Sequence, residues 1–184
     1  GNPAISYYDA TSGNLKYVRA TDADGTTWGA PLVLESTGTV GQYTSMKIVN
    51  GNPAISYYDV TQSALKFIRA NDVDGTTWAA SVMPDNAGAT GQYTSLQVIN
   101  GNPAISYYNV TATALMYVRA NDPDGTSWSV PDTLDNTGSI GQYTSLCVVN
   151  GNPAVSYYDV TSTALTFIRA LDASGTTWNT PLTD

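Results

Sequence analysis

The sequence predicts an all-β protein, a β-propeller of four blades, and three observations lead to this prediction. The 184 residues repeat with a period of 50, without insertion or deletion, and each copy begins with the letters GNPA. Each complete copy contains four short apolar runs separated by turn residues, and no window has helical periodicity. A repeat of this length with four strands is typical of a propeller blade.

Four runs account for one repeat, taking the first copy as the example. Residues 3–9 and 15–20 are rich in aromatic and β-branched residues, which favours strands. Residues 22–28 contain a glycine between polar residues, which predicts a tight hairpin turn. A third strand is expected from Thr27 to Leu34, and a fourth over residues 42–50, the run placed nearest the propeller axis.

The chain is interpreted as one domain over residues 1–184. It comprises repeats 1–50, 51–100 and 101–150 and an incomplete repeat, 151–184. If residues 3–9 are the second strand of their blade, each fourth run begins the next blade, and the first blade lacks its inner strand. The chain is then one strand short of ring closure. A four-bladed ring with one three-stranded blade, closure by another chain, and a piece of a longer array all remain open.

Composition excludes several functional classes. The chain has no histidine and one cysteine, which excludes a Ser-His-Asp triad, a His-ligated zinc site and an internal disulfide. Its formal net charge is −8, so no basic surface is expected to bind nucleic acid. No apolar run reaches the ~18 residues of a membrane span, so no membrane insertion is expected.

The segments ISYYD (residues 5–9) and LKYVRA (residues 15–20) resemble bacterial β-propeller repeats, and the similarity covers the whole chain. The hairpin also resembles the Asp-box of sialidases, whose pattern is Ser-x-Asp-x-Gly-x-Thr-Trp, with Gly25, Thr27 and Trp28 at matching places. In those families the Asp-box is structural and lies away from the active site. The resemblance therefore implies a propeller fold rather than catalysis.

Aspartates in the hairpin are candidate metal ligands. Asp22 and Asp24 flank the turn before Gly25, and carboxylate oxygens are the ligands that Ca²⁺ prefers. A turn in which the first Asp accepts backbone N–H groups is the alternative. No other cofactor is expected. The candidate calcium ligands are Asp22, Asp24, Asp72, Asp74, Asp122 and Asp124.

One arginine per repeat occupies the same position, and these four are the only arginines of the chain. Guanidinium groups that face a channel would bind an anion or carboxylate through two parallel hydrogen bonds. Alternatively each arginine pairs with the aspartate three residues further on, so that Arg19 ties its strand to Asp22. The candidate ligand-binding arginines are Arg19, Arg69, Arg119 and Arg169.

Paired tyrosines are the most suggestive feature for ligand binding. Adjacent strand residues point to opposite faces, so one tyrosine of each pair packs between blades and the other is free to reach a groove. Aromatic faces beside Asn, Asp and Thr suit sugar binding, while aromatic residues that fill the interfaces are the structural alternative. The candidate ligand-binding tyrosines are Tyr8, Tyr58, Tyr108 and Tyr158.

We therefore expect a non-enzymatic, multivalent binding module with glycans as the leading ligand class. The departures between copies are conservative, whereas an active site needs its acid and its nucleophile in different environments. One alternative is a scaffold, of natural or engineered origin, that self-associates through the incomplete blade. The other is an Asp-box-like glycoside hydrolase. Low lysine content and abundant Thr, Asn, Gly and Tyr favour an extracellular or cell-surface location.

Overall fold

A computed structural model describes all 184 residues, which form β-strands and no helix. The strands are β1 Ala4–Asp9, β2 Asn14–Arg19, β3 Leu32–Glu35, β4 Val40–Val49, β5 Asn52–Asp59, β6 Ala64–Arg69, β7 Val82–Asp85, β8 Thr90–Ile99, β9 Asn102–Asn109, β10 Ala114–Arg119, β11 Asp132–Asp135, β12 Ile140–Val149, β13 Asn152–Asp159, β14 Ala164–Arg169 and β15 Leu182–Thr183. No element of the chain is a helix that could cross a membrane.

The strands form four antiparallel sheets in chain order. Strands β1 to β3 make a three-stranded sheet, and β4–β7, β8–β11 and β12–β15 make three four-stranded sheets. The innermost strands β4, β8 and β12 lie side by side. The prediction that the first blade lacks its inner strand is confirmed, because each complete sheet takes that strand from the end of the preceding repeat. The third strand is shorter than expected and begins at Leu32.

A two-residue turn joins each inner strand to the next strand of its sheet. Asn50 and Gly51 have φ angles of 43° and 85° and connect β4 to β5. Two consecutive positive φ values define a type I′ turn, for which Asn-Gly is the preferred sequence. The same turn recurs at residues 100–101 and 150–151.

The core consists of the three interfaces between neighbouring sheets. In the second sheet, Ile55 and Tyr57 are fully buried against the first sheet. Leu65 and Phe67 are buried against the third sheet. Strands covered on both faces lose the alternation of apolar and polar residues, and β5 and β9, which are buried along almost their whole length, are of this kind.

The four sheets form an open arc, since no strand of the fourth sheet packs extensively against the first. The two outer faces show this directly. Ile5 in the first sheet is 48% exposed, whereas Ile55 at the equivalent position is 0% exposed. Leu165 in the last sheet is 61% exposed, whereas Leu65 is 0% exposed.

Candidate functional site

Three tyrosines form a row along the inner strands, and they are the most prominent exposed aromatic group. The rings of Tyr43 and Tyr93 lie 4.6 Å apart, and those of Tyr93 and Tyr143 lie 4.4 Å apart. Tyr43 is 39% exposed and Tyr143 is 65% exposed. We call Tyr43, Tyr93 and Tyr143 the tyrosine row. Burial and the two flanking phenols raise the pKa of Tyr93 well above its usual value.

The backbone of the tyrosine row is strained. The φ angles of Tyr43, Tyr93 and Tyr143 are 54°, 55° and 53°, a conformation that bulky residues rarely adopt. The strain arises at an irregularity, because the pairing of β4 with β5 skips from Gln42 to Ser45. Such conformations persist only where surrounding contacts enforce them, and they concentrate at functional sites.

Neighbouring blades supply those contacts. The Thr94 hydroxyl donates to the Tyr43 carbonyl (2.9 Å), and Thr144 repeats this contact with Tyr93 (3.0 Å). The Ser45 hydroxyl accepts the Leu96 N–H at 3.0 Å. The polar GQYTS segment therefore fixes β4 to β8 and β8 to β12, and it presents the tyrosine ring to solvent. Flat, partly exposed rings in a row provide an apolar platform with polar phenol groups.

A cluster of charged residues lies near the same end of the sheets. Lys66 Nζ is 3.0 Å from Asp59 Oδ2 and also contacts Glu35 Oε1. Tyr57 donates its phenol to the other oxygen of Glu35. Asp59 ends β5 opposite Val40, where β4 begins, and Tyr43 lies shortly after. Burial alone would lower the pKa of Lys66, but the contacts with Glu35 and Asp59 outweigh it and raise that pKa.

The Glu35–Lys66–Asp59 cluster occurs only at the interface of the first and second sheets. At the next interface, Asp85 accepts the Tyr107 phenol at 2.6 Å, but Met116 and Asn109 replace the lysine and the second carboxylate. At the third interface Asp135 accepts the Tyr157 phenol, and Thr166 stands where the lysine was. The expectation that no copy is specialised is therefore incorrect. Glu35 is also the only glutamate of the chain.

The structure places the predicted tyrosines mainly inside the protein. Tyr58 and Tyr108 are 6% and 5% exposed, and Tyr8 and Tyr158 are half-buried. Tyr58 lies beneath the row, with its ring centre 6.4 Å from that of Tyr43. Ligand binding by these four tyrosines stays a prediction. The exposed rings belong to the tyrosine row, which sequence reasoning placed nearest the axis but did not include among the candidate ligand-binding tyrosines.

The arginines lie at the opposite end of the sheets from the tyrosine row, in grooves between neighbouring blades. Arg69 donates from Nε to the Val49 carbonyl (2.9 Å) and from Nη2 to the Asn50 carbonyl (2.8 Å), which holds the inner hairpin of its own blade. The expected pairing with the aspartate three residues further on does not occur. Arg19 instead contacts Asp74 of the next repeat at 3.0 Å, and Arg69 contacts Asp124 at 3.2 Å.

The hairpin aspartates explain this difference. Asp22 accepts the N–H groups of Thr26 (2.9 Å) and Thr27 (2.7 Å) and the Thr26 hydroxyl (2.9 Å). Its two oxygens are therefore used inside its own turn, and Arg19 pairs across the groove. The structure contains no group of three or more side chains of the kinds that hold a metal ion. Calcium binding by the hairpins stays a prediction, as does their kinship with the Asp-box.

The hairpin should respond to acid in a defined way. Hydrogen bonds from Thr27 and Thr26 hold the pKa of Asp22 well below its usual value. A carboxylate with a lowered folded-state pKa stabilises the fold above its unfolded pKa of ~3.9, and this stabilisation is lost as the pH falls through the folded value. We expect Asp22→Asn to accelerate amide exchange of Thr26 and Thr27 near neutral pH, and the difference from the wild type to shrink below about pH 4.

Asp24→Asn is the matched control, because the Asp24 carboxylate has no hydrogen-bond or ion-pair partner. Amide exchange is measured by NMR between pH 2 and pH 7. Equal exchange in the two variants at every pH would contradict the role assigned to Asp22.

Comparison with known proteins gives matches by structure alone. No family model and no curated protein matches the sequence. An exo-β-1,3-galactanase from Phanerochaete chrysosporium superimposes with a TM-score of 0.65 and 10% identity, over 100% of this chain and 49% of that protein. An α-L-arabinofuranosidase from Clostridium thermocellum has a TM-score of 0.62 and 12% identity, over 98% of this chain and 69% of that protein. A GH62 α-L-arabinofuranosidase from Coprinopsis cinerea has a TM-score of 0.63 and 11% identity, over 97% of this chain and 62% of that protein.

The chain has a glycoside hydrolase-like propeller fold. At these identities the likeness shows the fold alone, and the chain spans between about a quarter and two thirds of the length of the solved structures. The expectation of a non-enzymatic binding module, and its scaffold alternative, is corrected by this finding. The neighbours are glycoside hydrolases rather than binding modules or scaffolds. Sequence reasoning kept a glycoside hydrolase only as an alternative, because it looked for a carboxylate pair in one specialised copy and did not consider Glu35 and Lys66.

Proposed function

We propose that this chain is a propeller of the glycoside hydrolase type that acts on a glycan held against the tyrosine row. The observation that carries the proposal is the position of the row, which is exposed and lies near the same end of the sheets as the Glu35–Lys66–Asp59 cluster. The structural neighbours support the substrate class, since their names describe action on galactans and arabinofuranosides. An extracellular or cell-surface location is part of the same proposal.

The tyrosine row supplies a surface for sugar rings. Tyrosine presents a rigid apolar face that loses little conformational entropy on binding, together with a phenol that forms hydrogen bonds. Tyr93 lies between Tyr43 and Tyr143 and contacts both rings. A glycan that lies along the row therefore contacts Tyr93 whichever end it approaches from.

Within the cluster, Glu35 is the residue that reaches solvent. Its side chain is 16% exposed, whereas that of Asp59 is 1% exposed. Glycosidases need one carboxylate as nucleophile or base and one acid that protonates the leaving-group oxygen. We assign the first role to Glu35 and the second to the Lys66 ammonium that contacts it. Asp59 holds Lys66 and also accepts the Gln62 N–H at 2.9 Å, so it positions the lysine.

Hydrolysis of defined glycans tests the proposal. We expect the wild-type chain to release sugar from arabinan, β-1,3-galactan or an aryl α-L-arabinofuranoside. Glu35→Gln should lower kcat about 100-fold or more, and Tyr93→Ala should raise KM about tenfold by removing one stacking contact. Turnover is followed through the reducing ends that appear.

Asp85→Asn is the control for Glu35→Gln, because Asp85 accepts a buried tyrosine phenol at the equivalent position but contacts no lysine. We expect it to keep wild-type activity. Absence of turnover on all three substrates, or full activity of Glu35→Gln, would overturn the assignment. Binding to Tyr93 without release of sugar would also count against hydrolysis.

A further inference from the structure

The three grooves between neighbouring blades are equivalent by repeat symmetry, but one of them has its carboxylate at a different position. In the first groove Arg19 contacts Asp74, and in the second Arg69 contacts Asp124. In the third groove Ser174 stands where these aspartates were, and Arg119 forms no ion pair. Comparison with the first two grooves therefore shows that Arg119 lacks the carboxylate partner that Arg19 and Arg69 have.

The structural role of the replaced aspartate is retained by the serine. Asp124 accepts the Asn50 side-chain amide at 2.8 Å, and Ser174 accepts that of Asn100 at 3.0 Å. Arg119 also keeps its internal bonds, from Nε to the Ile99 carbonyl (2.9 Å) and from Nη2 to the Asn100 carbonyl (2.8 Å). The hairpin docks as in the other copies, but the carboxylate that contacts the guanidinium in the first two grooves is missing.

The Nη1 group of Arg119 consequently has no partner within the protein. In the second groove the corresponding atom of Arg69 contacts Asp124 at 3.2 Å. The third groove has a volume of about 360 Å³, similar to about 400 Å³ for the first and larger than about 70 Å³ for the second. A half-buried guanidinium with free N–H groups and space beside it binds a carboxylate through charge-assisted hydrogen bonds.

The remaining lining of the third groove suits a hydroxylated ligand. Asn121, Ser129 and Thr176 offer amide and hydroxyl groups, and Tyr117 and Val130 offer apolar surface. Asp132 lines the same groove at the position of Leu32 and Val82 in the other copies. A carboxylate at this place accepts hydrogen bonds from sugar hydroxyls, and it repels a doubly charged phosphate more strongly than an anion with a single charge.

We propose that the groove between the third and fourth sheets binds a carboxylate-bearing sugar of the uronic acid type, with the carboxylate on Arg119. This site lies at the opposite end of the sheets from the tyrosine row and uses none of its residues. Its occupancy therefore does not depend on the hydrolytic function proposed above.

Titration with D-glucuronate and D-galacturonate, followed by amide chemical shifts, tests the site. We expect shifts at residues 174–176 and at Asn121 in the wild type. Ser174→Asp restores the carboxylate that the other grooves carry and should weaken binding about tenfold or more, since a charge-assisted hydrogen bond contributes about 1.5–3 kcal/mol. Arg119→Gln should weaken binding to a similar degree.

Two controls separate charge from folding. Ser174→Ala removes the hydroxyl but adds no charge and should bind within about threefold of the wild type. Arg69→Gln removes an arginine that is already paired with Asp124 and should leave uronate binding unchanged. Wild-type affinity in Ser174→Asp would overturn the site. Equal shifts with D-glucose, or displacement of uronate by equimolar inorganic phosphate, would overturn the ligand class.

Discussion

Replacing Lys66 with methionine should lower the free energy of unfolding by about 3 kcal/mol. Lys66 is 6% exposed and balances two carboxylates, of which Asp59 is almost completely buried. Removing one partner of a buried ion pair costs about 3–5 kcal/mol, because it leaves an uncompensated charge. The lower end of that range applies because Glu35 still reaches solvent. Chemical denaturation at pH 7 measures the loss.

The third repeat supplies the control for this substitution. There the equivalent positions hold Met116 and Asn109 beside Asp85. The double variant Lys66→Met/Asp59→Asn reproduces that combination, apart from Glu35 standing in place of an aspartate. We expect the double variant to recover most of the lost stability. A double variant as unstable as the single one would show that the lysine stabilises the interface through packing rather than charge.

Alanine at Gly91 should be the most damaging single-methyl substitution in the protein. Gly91 has a φ of 101°, and a Cβ there would lie 2.6 Å from the Leu65 Cα and 2.9 Å from its Cβ. Leu65 is fully buried between the second and third sheets, so backbone has to move. We expect a loss of about 2–5 kcal/mol, the sum of roughly 1–2 for the left-handed backbone and 1–3 for overpacking.

Gly101→Ala isolates the backbone contribution. Gly101 has a φ of 82°, but a Cβ there would meet nothing within 4 Å. This variant should lose only about 1–2 kcal/mol, the cost of a left-handed conformation in an L-residue. Denaturation curves of both variants give the comparison. Equal losses in the two variants would contradict a steric conflict with Leu65 and would show that the start of β8 can move to accommodate the methyl group.

Much of the fold follows from the sequence because the repeat multiplies each local signal. The turn residues and apolar runs place the first, second and fourth strands to within about two residues, but the third begins later than expected, at Leu32. The phase of the repeat predicts the incomplete first sheet. The sequence also contains a strong signal for the type I′ turn at Asn50-Gly51, since Asn-Gly between two strands favours that turn. The signal is not recognised when repeats are counted from Gly51, because the boundary then separates the two turn residues.

The candidate site is harder to predict from the sequence than the fold, because it depends on contacts between repeats. The sequence of one repeat does not predict that Arg19 pairs with Asp74 rather than Asp22. Asp22 is unavailable because its carboxylate already accepts hydrogen bonds from the backbone N–H groups of Thr26 and Thr27. The exposure of the tyrosine row depends on the irregular pairing after Gln42. Single departures such as Ser174 look conservative until the partner across the groove is known.

The sequence repeat and the sheet are out of phase by one strand, and this offset bears on how such a gene changes length. One 50-residue unit contains three strands of one blade and the inner strand of the next blade. When recombination deletes such a unit, the neighbouring unit supplies the equivalent four strands, and an inserted unit adds the same four. Every sheet keeps its strand number, and every interface keeps both of its faces. The arc can therefore grow or shrink by whole blades without a poorly folded intermediate, while single-residue changes such as those at Lys66 and Ser174 give individual interfaces their own chemistry.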